Sequence, residues 1–573
     1  MDLEKVREFE RLLDEELSSQ KFFRYEPSDS TINLVGSVLL SYTDPNLNPI
    51  VGTASRSLSV ALPILAKLSE GSPVDRDYGK NFSDALTFMS HYYMIREYLY
   101  YTYNAKGSFN WEFGEDFVKI SFSDRSILRQ FHQGGNAAIV ALIDALTDRL
   151  AIENEAIALL SGKEELGAEE HVIRGLELAE QEADLRIAAK FEMLGGAKSG
   201  VQFDGYRYAD FYVVYRFLLA KFIYHRYYAR ANSVMPVFRF SKQDLVMEIS
   251  LNTGLDESIV ELVVKDMVYS GDSPKGMVPQ YFELFSHGSL EEYLIIADSL
   301  IEEDGFAQLL RVQSIKSPAH FSRHISGPLG DGLVVRLAES FEKAGFIVRK
   351  NVSLSELGAD LPDIDLLVIS KEATLGYYVF ACEVKATLPA TWAKDYLRVL
   401  RKDSLPKAFL QVGRIIDALD SEAGVRFLAE KVISEDSSPM REGIIAFRSM
   451  IITSQNSGMF FDQPSNDVTV IDWKTLTSIL GRCDGDVVYI LHMLKCIREI
   501  FDVDPVGVEF LIGDVKVAYE VAAAIDPIVF PPNEWKSSGL DAEVSREFYE
   551  QGGSPFDVLI ERGSVSRESE TEE

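Results

Sequence analysis

The sequence is poor in cysteine, in long apolar runs and in positive charge, and each shortage excludes a class of protein. Its three cysteines, Cys382, Cys483 and Cys496, are too few and too scattered for a disulfide framework or a zinc site. No uncharged apolar run approaches the roughly 18 residues that cross a bilayer. The first residues also lack the apolar segment of a secretion signal. We therefore expect a cytoplasmic protein with no membrane partner.

Several common catalytic motifs are also missing. The sequence contains no Walker phosphate loop, no GxGxxG, no GxSxG and no HExxH. This excludes the usual signatures of ATPases, dinucleotide-dependent enzymes, serine hydrolases and zinc proteases. Any ATP-driven step would need a partner protein.

Positive charge is scarce and unevenly placed. The chain has 57 Lys and Arg against 89 Asp and Glu, a net charge of −32, which opposes general coating of nucleic acid. Between Pro318 and Arg448 there are 17 basic and 18 acidic residues, a net of 17 − 18 = −1. The other residues therefore carry −32 + 1 = −31. This segment is the least acidic part of the chain, so repulsion of phosphate is weakest there.

The length of 573 residues exceeds what one hydrophobic core supports. Helical spacing of apolar residues dominates the N-terminal region, with one hairpin expected around residues 109 to 124. We also expect helices over residues 280 to 325. The predicted fold class is multidomain α and α/β. The predicted units are a mainly helical domain (1–235), a winged-helix-like and helical connector (236–325), an α/β domain (326–460), a C-terminal α/β extension (461–562) and a disordered tail (563–573).

Two stretches, 90–107 and 206–230, are rich in tyrosine. One interpretation is that the rings stack on bases of single-stranded nucleic acid, with interleaved cations on the phosphates. The other is helix packing with some hydroxyl groups at the surface, which we favour. The cations of the second stretch are Arg207, Arg216, Lys221, Arg226 and Arg230.

Residues 240–271 contain two short helices separated by "NTG", a spacing that resembles a helix-turn-helix or winged-helix unit. The second helix carries several acids, including Asp256 and Asp266, against the single Lys265. Acid on that face would repel phosphate. We therefore expect this acidic helical region to bind a protein partner rather than to read DNA.

Acidic residues in two neighbouring apolar segments carry the main chemical signal. In "LPDIDLLVIS" Asp363 and Asp365 lie two residues apart, and in "YYVFACEVKAT" Glu383 precedes Lys385 by two residues. Side chains alternate along a strand, so each pair shares one face. If the two strands are neighbours, three carboxylates and an ammonium meet at one place. Carboxylates this close favour a cation between them.

The natural cation for such a site is Mg²⁺, or Mn²⁺, because a hard divalent ion binds one or two carboxylates together with water and substrate phosphate. Such an ion activates water and stabilises the charge that builds on a phosphate under attack. A lysine beside it can orient that water.

The sequence "PDID" followed by "EVK" resembles the PD-(D/E)xK, or restriction-endonuclease-like, nuclease superfamily over about residues 328 to 455. The resemblance implies metal ligands at Asp365 and Glu383 and a catalytic role for Lys385. Asp363 is the literal match to the motif and stays an alternative ligand. The resemblance also implies a glutamine in the helix after the lysine strand, where Gln411 lies.

Substrate phosphates require cations near the site. The stretch from residue 391 to 407 offers five of them against two acids, a net of 5 − 2 = +3. The alternative is a solvated helix face. The candidate nucleic-acid-binding residues are Lys394, Arg398, Arg401, Lys402 and Lys407.

The sequence thus predicts a Mg²⁺-dependent endonuclease that hydrolyses phosphodiester bonds of DNA, and the resemblance suggests defence against foreign DNA. The alternative is a catalytically inactive, nuclease-like scaffold that binds nucleic acid or proteins. RNA as substrate stays open. So does a homo-oligomer, which cutting of both strands would ordinarily require.

Overall fold

Among the residues that it describes, the structure, a computed structural model, contains helices and three mixed β-sheets. It describes residues 2–43, 51–68, 71–162, 170–189, 194–234, 238–269, 282–287, 290–295, 300–301, 304–372, 376–388, 397, 404–433, 444–454, 468–500 and 504–522. The predicted disordered tail and part of the predicted phosphate-binding stretch lie outside these residues.

The elements up to residue 295 are α1 (Leu3–Ser19), α2 (Pro27–Thr43), α3 (Val51–Leu65), α4 (Tyr78–Asn104), β1 (Phe109–Phe113), β2 (Phe117–Phe122), α5 (Arg125–Leu160), α6 (Glu170–Ala189), α7 (Tyr208–Asn232), β3 (Phe238–Ser241), α8 (Lys242–Thr253), α9 (Glu257–Met267), β4 (Val268–Tyr269), β5 (Phe282–His287) and β6 (Leu290–Ile295). The later elements are α10 (Gly305–Lys316), α11 (Pro318–His324), α12 (Ser326–Lys343), β7 (Ile347–Val352), β8 (Ile364–Glu372), β9 (Gly376–Lys385), α13 (Leu405–Leu419), α14 (Glu422–Ile433), β10 (Ile444–Thr453), β11 (Val468–Asp472), α15 (Trp473–Cys483), α16 (Val487–Ile500), β12 (Pro505–Ile512) and β13 (Val515–Ala522).

The N-terminal region is mainly helical, as predicted, and α1 shows why its sequence folds so. The Asp2 carboxylate caps the helix by accepting from the backbone N–H groups of Glu4 and Lys5. Apolar residues at helical spacing then form one buried face. No helix in the described part of the chain is long and apolar enough to cross a bilayer.

The tyrosine-rich stretches lie in α4 and α7 and contribute largely to the core. Tyr98, Tyr215 and Tyr227 are each fully buried. A ring enclosed by other side chains cannot stack on a base, so burial supports the packing interpretation.

The five cations of α7 and its N-cap are likewise engaged within the chain. Each forms an ion pair with a carboxylate, which leaves the stretch without the open positive surface that nucleic acid would need. The pairs are Arg207–Asp210, Arg216–Asp184, Lys221–Glu248, Arg226–Glu182 and Arg230–Glu153.

The segment from β3 to β6 contains two helices followed by a hairpin. The sheet order is β3-β6-β5-β4, so the hairpin β5–β6 returns to pair with the strand that precedes α8. The prediction of helix from residue 280 was wrong over these two strands. In the sequence "FELFSHGSLEEYLI" the dipeptide Gly-Ser separates two strand-length segments, which is a hairpin signal.

The last described hairpin, β12–β13, joins the N-terminal region. Strand β13 pairs in parallel with β2, which gives a sheet of order β1-β2-β13-β12 and includes the predicted hairpin β1–β2. The backbone carbonyl of Glu520 accepts from the Tyr98 hydroxyl at 2.7 Å, and its carboxylate accepts from the Phe122 N–H at 2.9 Å. Elements far apart in the sequence therefore share one sheet.

The central feature is a five-stranded sheet of order β11-β10-β9-β8-β7, in which β7, β8 and β9 are antiparallel and β9, β10 and β11 are parallel. One face of the sheet packs against α13 and α14, and the other belongs to the large core that includes α12 and α15. Both faces are covered, so the inner strands β8, β9 and β10 are largely apolar, whereas the edge strand β7 carries Arg349 and Lys350. One of its two edge strands is β11, so the sheet extends past residue 460, the predicted end of the α/β domain.

Candidate functional site

Strands β8 and β9 bring the predicted acids together where β8 begins and β9 ends. Their antiparallel register pairs Leu366 with Cys382. One further step places Asp365 across from Glu383. At this position a side chain provides a hydrogen bond between the strands, because Asp365 Oδ2 accepts from the Val384 backbone N–H at 2.6 Å. The bond fixes the Asp365 carboxyl against β9.

Glu383 is the most enclosed member of the site. It is 2% exposed, and its Oε2 atom has no hydrogen-bond partner. Buried carboxylate oxygens are almost always satisfied, because leaving one bare costs about 1–3 kcal/mol or more. A bare oxygen here, beside a second carboxylate, has the chemistry of an unused ligand for a hard cation.

Lys385 lies at the opening of the site. Its side chain is 25% exposed, so the ammonium reaches both the buried acid and solvent. Lys385 Nζ donates to Glu383 Oε1 and, at 3.1 Å, to the Oε1 atom of Gln411 on α13. The glutamine that the resemblance implies is therefore a hydrogen-bond partner of the lysine.

Electrostatics at the site disfavour ionised carboxyls in the absence of a cation. Burial raises the pKa of Asp365, although the bond from Val384 opposes this. Burial also raises the pKa of Glu383, and repulsion from Asp365 raises it further. A carboxyl group whose ionisation is opposed by burial and by a neighbouring acid is a recurring feature of functional sites.

The structure places the remaining predicted residues differently. Asp363 is exposed immediately before β8, and its negative charge helps to raise the pKa of Asp365. Lys407, on the first turn of α13, is exposed. Its positive charge offsets part of the rise in the pKa of Glu383. The residues Lys394, Arg398, Arg401 and Lys402 lie outside the described part of the chain.

Within the described residues no group of three or more His, Cys, Asp and Glu side chains could hold a metal ion. The physical reason is that Asp363 points to solvent, so two carboxylates converge rather than three. Two are enough for Mg²⁺, which keeps several waters and often takes only one or two protein carboxylates.

Two features beside the site were not anticipated from the sequence. Ser454 Oγ accepts from the Thr387 N–H and donates to the Thr387 carbonyl, each at 2.7 Å, which ties the ends of β9 and β10 together next to Lys385. Asp472, at the end of β11, is buried but serves as the N-cap of α15 by accepting from Thr475. Neither pattern is distinctive in sequence, since serine and aspartate are common at strand and helix ends.

Comparison of the chain with protein-family models, with curated proteins and with solved structures finds no match.

Proposed function

We propose that the chain is a metal-dependent nuclease that hydrolyses phosphodiester bonds of DNA. The observation that carries the proposal is the buried, unpartnered oxygen of Glu383 beside Asp365, with Lys385 at the opening to solvent. The arrangement of the surrounding elements supports it, since a helix, three antiparallel strands, two helices and a parallel strand follow one another along the chain, and a restriction-endonuclease-like domain is expected to show this alternation of helix, strands, helical segment and strand. Defence against foreign DNA rests on the resemblance alone.

In this proposal Asp365 and Glu383 hold Mg²⁺ or Mn²⁺. When bound, such an ion supplies a Lewis acid that activates water and offsets the charge that builds on a phosphate under attack. Asp365 is preferred over Asp363 as a ligand because it is fixed against β9 by the bond from Val384. The exposed Asp363 has no such constraint.

The chain's own cations complete the chemistry. Lys385 donates hydrogen bonds to the attacking water or to phosphate oxygens, and Gln411 holds its ammonium in place. Lys407, one helical turn before Gln411 on the same face of α13, contacts a neighbouring phosphate.

The segment from β3 to β6 fits a winged-helix-like unit, since its helix pair is followed by a hairpin that pairs back to β3. The exposed residues of α9 include Glu257 and Glu261, whereas Asp266 is buried and accepts from Lys316. An acidic face repels phosphate, so we assign this unit to positioning the nuclease or to binding protein.

Cleavage of plasmid DNA tests the proposal. The purified chain with Mg²⁺ or Mn²⁺ should nick or linearise the plasmid, and chelation should stop it. Lys385→Ala should reduce the rate by about 10²- to 10⁴-fold, whereas Lys343→Ala, at the opposite edge of the sheet, should leave it unchanged. Equal cutting by wild type and Lys385→Ala would contradict the proposal, and a folded wild type that never cuts would favour the inactive scaffold. An RNA substrate assayed in parallel separates the two nucleic acids.

The raised pKa values predict how stability depends on pH and on metal. Without a divalent ion, the folded chain retains protons on Asp365 and Glu383 at pH values where the unfolded chain has released them. The free energy of unfolding should therefore fall as the pH rises above the ordinary values of 3.8 and 4.5 and through the raised ones. Ion binding requires both groups ionised, so stabilisation by Mg²⁺ should grow over the same rise in pH.

Thermal melting from about pH 4 to pH 8, with and without Mg²⁺, measures this effect. At ~100-fold excess of ion over the dissociation constant, the stabilisation should reach about 2.7 kcal/mol. The double variant Asp365→Asn, Glu383→Gln should show no response to Mg²⁺. An equal response in wild type and double variant would place the ion elsewhere.

A further inference from the structure

The direction of α12 decides which end of that helix lies near the site. Strands β9, β10 and β11 are parallel, and their register aligns Lys385 with Thr453 and Thr453 with Asp472. Helix α15 starts directly after Asp472, so its N-terminus lies at the same edge of the sheet as the site. Its far end meets the far end of α12, where a Cβ added at Gly485 would lie 3.4 Å from the Ala344 carbonyl oxygen.

Helix α12 therefore begins at the edge of the sheet that holds the carboxylates. Its 18 residues span about 27 Å, whereas the 6 residues of β7, which runs back beside it, span about 20 Å. The first turn of α12 and the preceding α11 thus project beyond the strands, on the opposite helical layer from α13.

This projecting segment is unusual in its charge. In an acidic chain, no Asp or Glu occurs between Asp304 and Asp331. On α11 the side chains of Arg323 and His324 are exposed. Two other basic groups of this segment form hydrogen bonds within the chain. Lys316 donates to the buried Asp266, and His320 contacts the Gln202 carbonyl oxygen.

A phosphate backbone approaching the site needs such cations. The carboxylates of the site and the exposed Asp363 repel it, and Lys385 is already bonded to Glu383. Lys407 supplies one exposed cation on the layer of α13. Arg323 and His324 would supply the matching contact on the layer of α12, so that the backbone is held on both sides of the site.

We propose that Arg323 and His324, with the projecting start of α12, form a second phosphate-contact surface for duplex DNA at the edge of the sheet. The inference rests on the proposed function, because it assigns a substrate contact to the same site. Arg323 donates to phosphate oxygens as a fixed cation, and His324 donates from its ring N–H. These contacts position the duplex and read no sequence.

The test of this surface is the affinity for a short labelled DNA duplex. Fluorescence anisotropy measures that affinity over a series of salt concentrations, with Ca²⁺ in place of Mg²⁺. The double variant Arg323→Ala, His324→Ala should weaken binding about five- to tenfold. It should also reduce the slope of log affinity against log salt by about 0.9 for the lost Arg323 contact. Arg323→Glu should weaken binding more. The matched control is Lys343→Ala, which removes an exposed cation of the same helical layer at the opposite edge.

The outcomes separate this inference from the proposed function. Wild-type affinity and salt slope in the double variant, or an equal loss in Lys343→Ala, would overturn the α11 surface even if the protein cleaves DNA. Duplex binding that depends on Arg323, in a protein that does not cleave with any divalent ion, would support the surface and contradict the nuclease. A wild-type chain that binds no duplex would overturn the inference.

Discussion

Replacement of Glu383 by glutamine is expected to reduce metal-dependent cleavage by about 10³-fold while the protein stays folded. Glutamine has nearly the same shape as glutamate but carries no charge, so it is a poor ligand for Mg²⁺. The rate of plasmid nicking, measured against metal concentration, checks the expected loss of activity.

The stability of the same variant should move little, which distinguishes a ligand from a structural residue. Burial already disfavours the ionised Glu383, as its raised pKa shows, and the neutral amide removes that cost. Lys385 keeps an acceptor in the amide oxygen and another in Gln411. The free energy of unfolding should therefore change by about 1 kcal/mol or less.

The control for this variant is Glu422→Gln on α14, where the carboxylate is 83% exposed. It should leave both cleavage and stability at wild-type values. Full activity of Glu383→Gln would contradict the assignment of Glu383 as a ligand. Loss of activity together with unfolding would assign Glu383 to structure, and Asp365→Asn would then decide whether the site binds metal.

Replacement of Glu182 by alanine is expected to cost about 3–5 kcal/mol of stability. Glu182 is 1% exposed on α6. Its Oε1 atom accepts from Arg186 Nε at 2.5 Å and from Arg226 Nη2 at 2.7 Å, and its Oε2 atom accepts from the Tyr227 hydroxyl. These partners hold the pKa of Glu182 below its ordinary value in spite of burial. Alanine would leave two buried guanidinium groups without this carboxylate.

The midpoint of the first transition in urea unfolding measures the loss, because a chain of this size need not unfold in one step. Glu180→Ala is the matched control. It lies on the same helix, is 58% exposed and approaches Arg216 only to 3.6 Å, so its effect should stay within about 0.5 kcal/mol. A loss for Glu182→Ala no larger than that of the control would contradict the network's structural role.

The local part of the site could be predicted because it depends on strand periodicity alone. Residues two apart in a strand share a face, so Asp365, Glu383 and Lys385 follow directly from two apolar segments that carry charge at their ends. The strand and helix assignments around them rest on patterns of the same kind. Gln411 required a family resemblance in addition, because its contact with Lys385 depends on how α13 packs across the sheet.

The rest depended on long-range packing, which no local pattern encodes. The pairing of β13 with β2 joins residues about four hundred positions apart. The sequence of neither strand indicates which strand it pairs with. The sequence left a nucleic-acid surface on α7 open beside the favoured packing interpretation, because ion pairs with other helices, such as that of Arg216 with Asp184, depend on the tertiary structure. Asp266 counted as surface acid in the sequence but is buried against Lys316.

The central claim is that Asp365 and Glu383 share a divalent ion. Crystals grown or soaked with Mn²⁺ test it most directly, because anomalous scattering locates manganese without reference to the surrounding atoms. The account predicts one anomalous peak between the two carboxylates, and no peak in the Glu383→Gln variant. A peak elsewhere, or none at saturating Mn²⁺ with both carboxylates ordered, would contradict it.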